Sequence, residues 1–305
     1  MASDGLSTDL GPLQLRSPLI AASGTVGSVW EWAEVADVGV YGAAVAKSVA
    51  SVEWPGRPAP RLAPTGTGML NGIGIQNPGI ERWVESMGPI LRRLEVPVWG
   101  SAVGTNPDEF ALVAKGLITA GVEVVEVNLS CPNLEDGRMF ALDADRSREV
   151  VEAVVASGDV LVGAKLSPNA EEIVGVAQAC LAGGASFLTL TNTALGFGIS
   201  VEDRRPLLSG GVGGYSGPGL KPLSMRCVYE VATAIPETPI VGCGGVTTGR
   251  DVVEYLLAGA SAVGLGTVHF SEPRAGARIL RELVTEMRRL GVRDVGELIG
   301  AVRPW

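Results

Sequence analysis

Eight short apolar runs, each followed by a longer amphipathic or polar stretch, recur along this chain, and that alternation most limits how it can fold. The runs cover residues 19–22, 43–47, 98–102, 124–129, 161–166, 187–191, 240–243 and 262–266, with Val, Ile, Leu and small residues dominating each. Continuous apolarity, without alternation, belongs to strands buried on both faces of a parallel sheet. The intervening segments 81–94, 107–119, 146–157, 170–181, 222–234 and 250–257, and the closing segment 273–290, carry helical periodicity. Eight strand–helix units predict an α/β fold, a (β/α)8 TIM barrel, with one domain spanning residues 1–305 and no linker. The opening residues 8–15 read as an N-terminal β-hairpin plugging the end of the barrel opposite its reactive end.

In such a barrel the reacting groups sit where strands end and loops begin. Lys47, Asn128, Lys165, Asn192 and the pair Gly244-Gly245 all fall at the C-terminal ends of the expected strands. Two connections, 48–80 and 193–221, exceed the usual length, and long loops in compact domains act as lids or binding segments. The first contains Asn71-Gly72-Ile73-Gly74-Ile75-Gln76-Asn77-Pro78-Gly79, where glycines let backbone amides approach a ligand and carboxamides offer donors and acceptors. Taken alone, that stretch reads as a turn-rich surface loop, and a lone strand-end lysine is more often a snorkelling surface residue.

The fourth run ends in Asn128-Leu129-Ser130-Cys131-Pro132-Asn133. Pro132 lacks a backbone donor and stops the strand, so Cys131 opens a loop. An unpaired cysteine is as readily a small buried hydrophobe as a reactive thiol. Cys131, Cys180, Cys227 and Cys243 lack metal-ligand spacing, so no metal is expected, and a chain of this size needs few disulfides; the usage fits a reducing cytoplasm. A net charge of −9 argues against nucleic acid as a partner. No apolar run reaches the roughly 20 residues of a membrane span, and the N-terminal residues lack signal-peptide character. The single histidine, His269, reads as incidental.

Taken in order, a set of motifs resembles the dihydroorotate dehydrogenases, flavoproteins of pyrimidine synthesis, over nearly the whole chain. They are Ser17-Pro18-Leu19-Ile20-Ala21-Ala22-Ser23-Gly24, Lys47-Ser48-Val49, the 71–79 loop, 128–133, Lys165-Leu166-Ser167-Pro168, Asn192-Thr193, 214–218, 242–246 and 264–267. Gln76-Asn77-Pro78-Gly79 and Leu134-Glu135-Asp136-Gly137 resemble the class 1B catalytic subunit more than the fumarate-using class 1A.

The resemblance implies FMN across the strand ends and oxidation of dihydroorotate to orotate. Cys131 would be the base at carbon 5, with hydride leaving carbon 6 for flavin N5, and its thiol would need help to ionise at neutral pH. Lys47 would touch flavin and substrate, while Lys165 would lie where negative charge gathers on the reduced ring. Asn71, Asn128, Asn192 and Thr193 would pair with the pyrimidine edge, and the amides of Gly72, Ile73, Gly74 and Ile75 with the carboxylate. Ser23, Lys47, Ser48, Ser101, Asn128, Lys165, Thr191, Gly217, Gly244, Gly245, Gly266 and Thr267 would hold FMN, its phosphate lying on the glycine-flanked ends of strands seven and eight beside a helix N-terminus. One position departs: where the family carries an asparagine at the end of strand three, this chain has Ser101, two residues after bulky Trp99.

Class 1B enzymes work in a heterotetramer built on a catalytic homodimer, with a second subunit that carries FAD and an iron–sulfur cluster and passes electrons to NAD. This chain has neither a cysteine cluster for iron and sulfur nor a dinucleotide fingerprint, so such a partner is expected. The alternatives left open are a class 1A-like enzyme using fumarate, a related flavin-dependent oxidoreductase of dihydropyrimidine bases, and an FMN-binding barrel without activity.

Overall fold

The structure, a computed structural model, describes residues 5–129 and 139–305. In chain order its strands are β1 (Thr8–Leu10), β2 (Leu13–Leu15), β3 (Leu19–Ala21), β4 (Ala43–Val45), β5 (Leu62–Thr65), β6 (Gly68–Asn71), β7 (Val98–Ala102) and β8 (Val124–Asn128). They continue with β9 (Leu161–Lys165), β10 (Phe187–Leu190), β11 (Ala194–Gly196), β12 (Ile199–Ser200), β13 (Arg205–Pro206), β14 (Gly213–Ser216), β15 (Ile240–Cys243) and β16 (Ala262–Leu265). The helices are α1 (Trp30–Ala33), α2 (Ile80–Leu91), α3 (Pro107–Thr119), α4 (Ala144–Val155), α5 (Ile173–Ala182), α6 (Lys221–Ala234), α7 (Gly249–Leu257), α8 (Val268–Ser271) and α9 (Ala275–Leu290).

Eight of these strands close a parallel barrel in the order β10-β15-β16-β3-β4-β7-β8-β9, so every expected strand is present and the fold is the (β/α)8 barrel. Helices start where local chemistry supports them. Asn106 Oδ1 accepts from the Glu109 N–H ahead of α3, with Pro107 in its first turn, and Asp143 caps α4 in the same way. The first barrel unit is the exception, with only the single turn α1 and a 3-10 turn at Val38–Val40 between β3 and β4.

The hairpin β1–β2 forms as expected, pairing Thr8 with Leu15 across a turn in which Gly11 adopts φ +62°. Leu10 and Leu15 pack with Ile20, Val45, Trp99, Val124, Phe187 and Val241, which seals one end of the barrel with hydrocarbon. Trp99 and Phe187 meet with ring centroids 5.1 Å apart. Gly163 leaves room for the Phe187 ring, because a Cβ there would come within 2.2 Å of Phe187 Cζ.

The long connections are more ordered than the sequence suggested. Segments from both of them combine in a four-stranded antiparallel sheet, β11-β14-β6-β5, with Asn71 opposite Gly214 in the β6–β14 register. These strands are short and rich in glycine and proline, which hides them from periodicity arguments. The lid expectation therefore becomes a second small sheet lying over the open end of the barrel.

Because Trp99 packs at the sealed end, Trp99→Ala is expected to cost about 3–5 kcal/mol of unfolding free energy, read as a lowered urea midpoint.

Candidate active site

The open end of the barrel holds a cavity of about 340 Å³. Its floor comes from the strand ends: Ser23 after β3, Lys47 after β4, Asn128 ending β8, Lys165 ending β9, Thr191, Asn192 and Thr193 after β10, Cys243 to Gly245 at β15, and Gly266 and Thr267 after β16. Its roof is the second sheet and its loops, from Asn71, Gly72, Ile73, Gly74 and Ile75 on one side to Gly213, Gly214 and Ser216 on the other.

A chain of neutral polar groups crosses this site. Ser48 Oγ and Ser101 Oγ lie 2.8 Å apart, Asn128 Nδ2 donates to Ser48 Oγ at 3.3 Å, and Asn192 Nδ2 donates to Asn128 Oδ1 at 3.2 Å. The Thr193 N–H in turn donates to Asn192 Oδ1 at 2.8 Å, and Asn71 Nδ2 donates to the Gly214 carbonyl at 3.1 Å. Each carboxamide is thereby oriented before any ligand arrives. Gly74 makes the roof possible: its φ is +71°, and a Cβ there would come within 2.6 Å of the Arg57 backbone nitrogen.

Of the residues expected from sequence, Ser48, Ser101 and Gly217 do not line the cavity. Ser48 and Ser101 are buried one layer below, acting on it through Asn128. Gly217 backs the floor: with φ +102° it packs on Gly68, and its carbonyl lies 2.8 Å from where a Gly245 Cβ would stand. Cys131 lies outside the described residues. The remaining expected residues surround one space.

The structure also brings in residues the sequence reading left out. Thr25, Arg57, Met69, Cys243 and Phe270 face the cavity, and Arg57 bridges the two lid connections by donating from Nη1 to the Val212 carbonyl at 3.1 Å. Lys165 Nζ, in the floor, lies 3.6 Å from Oε1 of Glu126 beneath it, both side chains being almost fully buried, while Thr189 Oγ1 donates to Glu126 Oε2 at 2.9 Å. Burial alone would push the lysine down, but the charge of the adjacent carboxylate holds Lys165 above the ordinary lysine value. Burial pushes the Cys243 thiol up, against the pull of the Lys165 ammonium, so this sulfur stays protonated.

The loop after β15 is fixed by Asp251. Its Oδ2 accepts from the N–H groups of Thr247 and Thr248, both at 2.8 Å, and from both hydroxyls, while Lys221 Nζ binds Oδ1 at 2.5 Å. The α7 N-terminus is therefore capped from within, which leaves the Gly244-Gly245 and Gly266-Thr267 turns as the amide-rich part of the wall. His269 is not incidental to packing. It is buried between Trp32 and Tyr41, its Nε2 lies 2.9 Å from the Tyr41 hydroxyl, and its Nδ1 lies 3.1 Å from Thr25 Oγ1 on the cavity wall. Among the described residues no cluster of His, Cys, Asp and Glu could hold a metal ion, and no helix is long and apolar enough to cross a membrane.

A barrel whose rim gathers two lysines, a row of carboxamides and glycine-rich strand ends under an antiparallel lid has the site of a barrel enzyme built to hold a polar, anionic ligand at its strand ends. The sequence profile of the family described as dihydroorotate dehydrogenase matches residues 5–287, and the chain belongs to that family. It is 39% identical over 305 residues to "Dihydroorotate dehydrogenase B (NAD(+)), catalytic subunit" of Alkaliphilus metalliredigens, covering 99% of this chain and 100% of that one. It is 40% identical over 304 residues to the protein of the same name from Geobacter sulfurreducens, with 99% of each covered. A crystal structure of a dihydroorotate dehydrogenase from Eimeria tenella in complex with ferulenol shares the fold at TM-score 0.84 and 22% identity, over 97% of this chain and 88% of that one.

Burial without a charged partner depresses the His269 pKa to about 4. An imidazole that resists protonation when folded gives stability that is complete above its unfolded pKa near 6.5 and is lost as pH falls toward 4, because the unfolded chain takes up the proton first. Unfolding free energy is expected to drop by about 3 kcal/mol from this group between those limits, and His269→Gln to flatten that part of the pH profile in urea titrations.

Proposed function

We propose that this chain is the catalytic subunit of an NAD-linked dihydroorotate dehydrogenase, oxidising dihydroorotate to orotate in pyrimidine biosynthesis with FMN as its cofactor. The observation that carries this reading is the convergence of Lys47, Lys165, Asn71, Asn128 and Asn192 on one cavity from separate strand ends and lid strands.

The residues fit FMN through their chemistry. The Gly244-Gly245 and Gly266-Thr267 turns offer backbone amides for a phosphate, with Gly217 behind them and Ser23 and Thr191 on the wall. Asn128, held from behind by the Ser48–Ser101 pair, offers a hydrogen-bonding edge for a planar ring, and Lys165 sets a buried cation in the floor. FMN, when bound, supplies the acceptor for the two electrons that leave with carbon-6 hydride.

The chain's own groups handle substrate and proton. Lys47 and the amides of Gly72 to Ile75 neutralise and orient the carboxylate, while Asn71, Asn128, Asn192 and Thr193 match the ring's alternating carbonyl and N–H groups. Cys131 takes the proton from carbon 5 as a thiolate, an ionised form that positive charge or aimed amides must favour. Loss of one proton and one hydride converts the saturated C5–C6 bond to the double bond of orotate. Lys165 offsets negative charge where the electrons arrive. The lid sheet excludes water from the reacting carbons.

Electrons leave through a separate subunit carrying FAD and an iron–sulfur cluster, in a cytoplasmic heterotetramer around a catalytic homodimer. The names of the relatives, catalytic subunits linked to NAD(+), support that partner. The whole chain acts as one FMN-binding domain.

Two measurements test the reading. In anaerobic stopped-flow mixing with dihydroorotate, Cys131→Ser is expected to bleach its flavin at least about 100-fold more slowly than the parent chain at neutral pH while keeping FMN, in line with the loss of a positioned base; an unchanged rate would remove Cys131 from the mechanism. The isolated chain with FMN is also expected to be reduced by dihydroorotate yet to reduce NAD slowly, and rapid NAD reduction without a partner would count against the two-subunit scheme.

A further inference from the structure

Glu126 is the one charged residue of the strand Val124–Asn128, flanked by valines, and only 2% of it is exposed. A buried carboxylate is costly unless it is paired, so its presence needs a reason. It is tied on both sides: Thr189 on β10 donates to Oε2 at 2.9 Å, and Lys165 on β9 lies 3.6 Å from Oε1. Oε1 has no hydrogen-bond partner among the described residues and faces the lysine as an ion-pair oxygen. The arrangement links three neighbouring strands inside the barrel, and its only side chain that reaches the cavity is Lys165.

We propose that Glu126 is a positioning residue for the cavity-facing cation: anchored by Thr189, its carboxylate keeps the Lys165 ammonium protonated and aimed at the cavity floor. The titratable groups acting on that ammonium are Glu126 from β8 and Cys243 from β15, and Lys47 opens onto the same cavity. Cys243 is a buried neutral thiol and gives no compensating charge. Burial disfavours an isolated ammonium there, so without the carboxylate Lys165 gives up its proton to solvent at a lower pH. Glu126 therefore controls whether the floor carries positive charge at the point where, on the flavin reading, electrons arrive; only the second readout below rests on that reading.

The chain contains four lysines, Lys47, Lys115, Lys165 and Lys221, so ¹³C-lysine NMR can follow Lys165 directly in the full-length protein. In Glu126→Gln, Lys165 is expected to titrate at least about one pH unit lower than in the parent, a tenfold loss of proton affinity, while Lys115 is unmoved. An identical Lys165 titration would overturn the proposal. Should Glu126→Gln fail to fold, Thr189→Val keeps the carboxylate but removes its anchor; it is expected to move Lys165 in the same direction by less, and no movement would be equally fatal.

The second readout is the flavin midpoint potential against pH with FMN bound. Glu126→Gln is expected to show a new downward break where Lys165 loses its proton, about 30 mV for each tenfold loss of preference for reduced flavin, and Lys165→Gln in the same background to abolish that break. A pH profile superimposable on the parent's would contradict the proposal. Failure of the parent chain to take up FMN would instead count against the flavin reading, with the NMR titration still deciding the role of Glu126.

Discussion

Closure of eight parallel strands is the constraint from which the rest of this molecule follows. Parallel strands that complete a barrel must all point the same way, so residues far apart in sequence, Lys47, Asn128, Lys165, Asn192 and Gly244, arrive at a single rim. No local motif could assemble that set. The sealed end, packed with Leu10, Leu15, Trp99 and Phe187, supplies the hydrophobic burial that holds the register and leaves the rim available for polar side chains.

A rim open to water would be a poor place to manage charge. The lid sheet converts it into a cavity, and it is built from both long connections at once, with β6 and β14 paired through Asn71 and Gly214. Arg57 holds the same two connections together through the Val212 carbonyl. At the floor the buried pair of Lys165 and Glu126 sits in low dielectric, where each charge is felt more strongly than it would be in water. Uncharged carboxamides from strand ends and lid thus share one cavity with a fixed charge in its floor.

Much of this was legible in the chain. Continuous runs of Val, Ile, Leu and Ala announced the eight barrel strands, and polar residues at their ends announced most of the cavity wall. What stayed hidden has physical causes. The lid strands are three or four residues long and carry Pro64, Gly68 and Gly213 where a strand would show alternation. Arg57, Thr25 and Phe270 reach the site only through tertiary folding, and Ser48, Ser101 and Gly217 fell one layer behind the wall because sequence cannot separate a lining residue from its support. Cys243 was hidden by its place at the end of an apolar run. Glu126 left a signal that was overlooked: a lone carboxylate inside a doubly buried strand requires a partner, and Lys165 stands at the end of the next barrel strand.

The central claim is that these strand ends and lid strands form one site for FMN and a carboxylated pyrimidine together. A crystal structure of the chain grown with FMN and orotate tests it most directly. The account predicts the flavin ring over Lys165 with its phosphate at the Gly244-Gly245 and Gly266-Thr267 turns, and orotate beneath the lid with its carboxylate at Gly72 to Ile75. Flavin or orotate bound elsewhere, with this cavity holding only solvent, would contradict it.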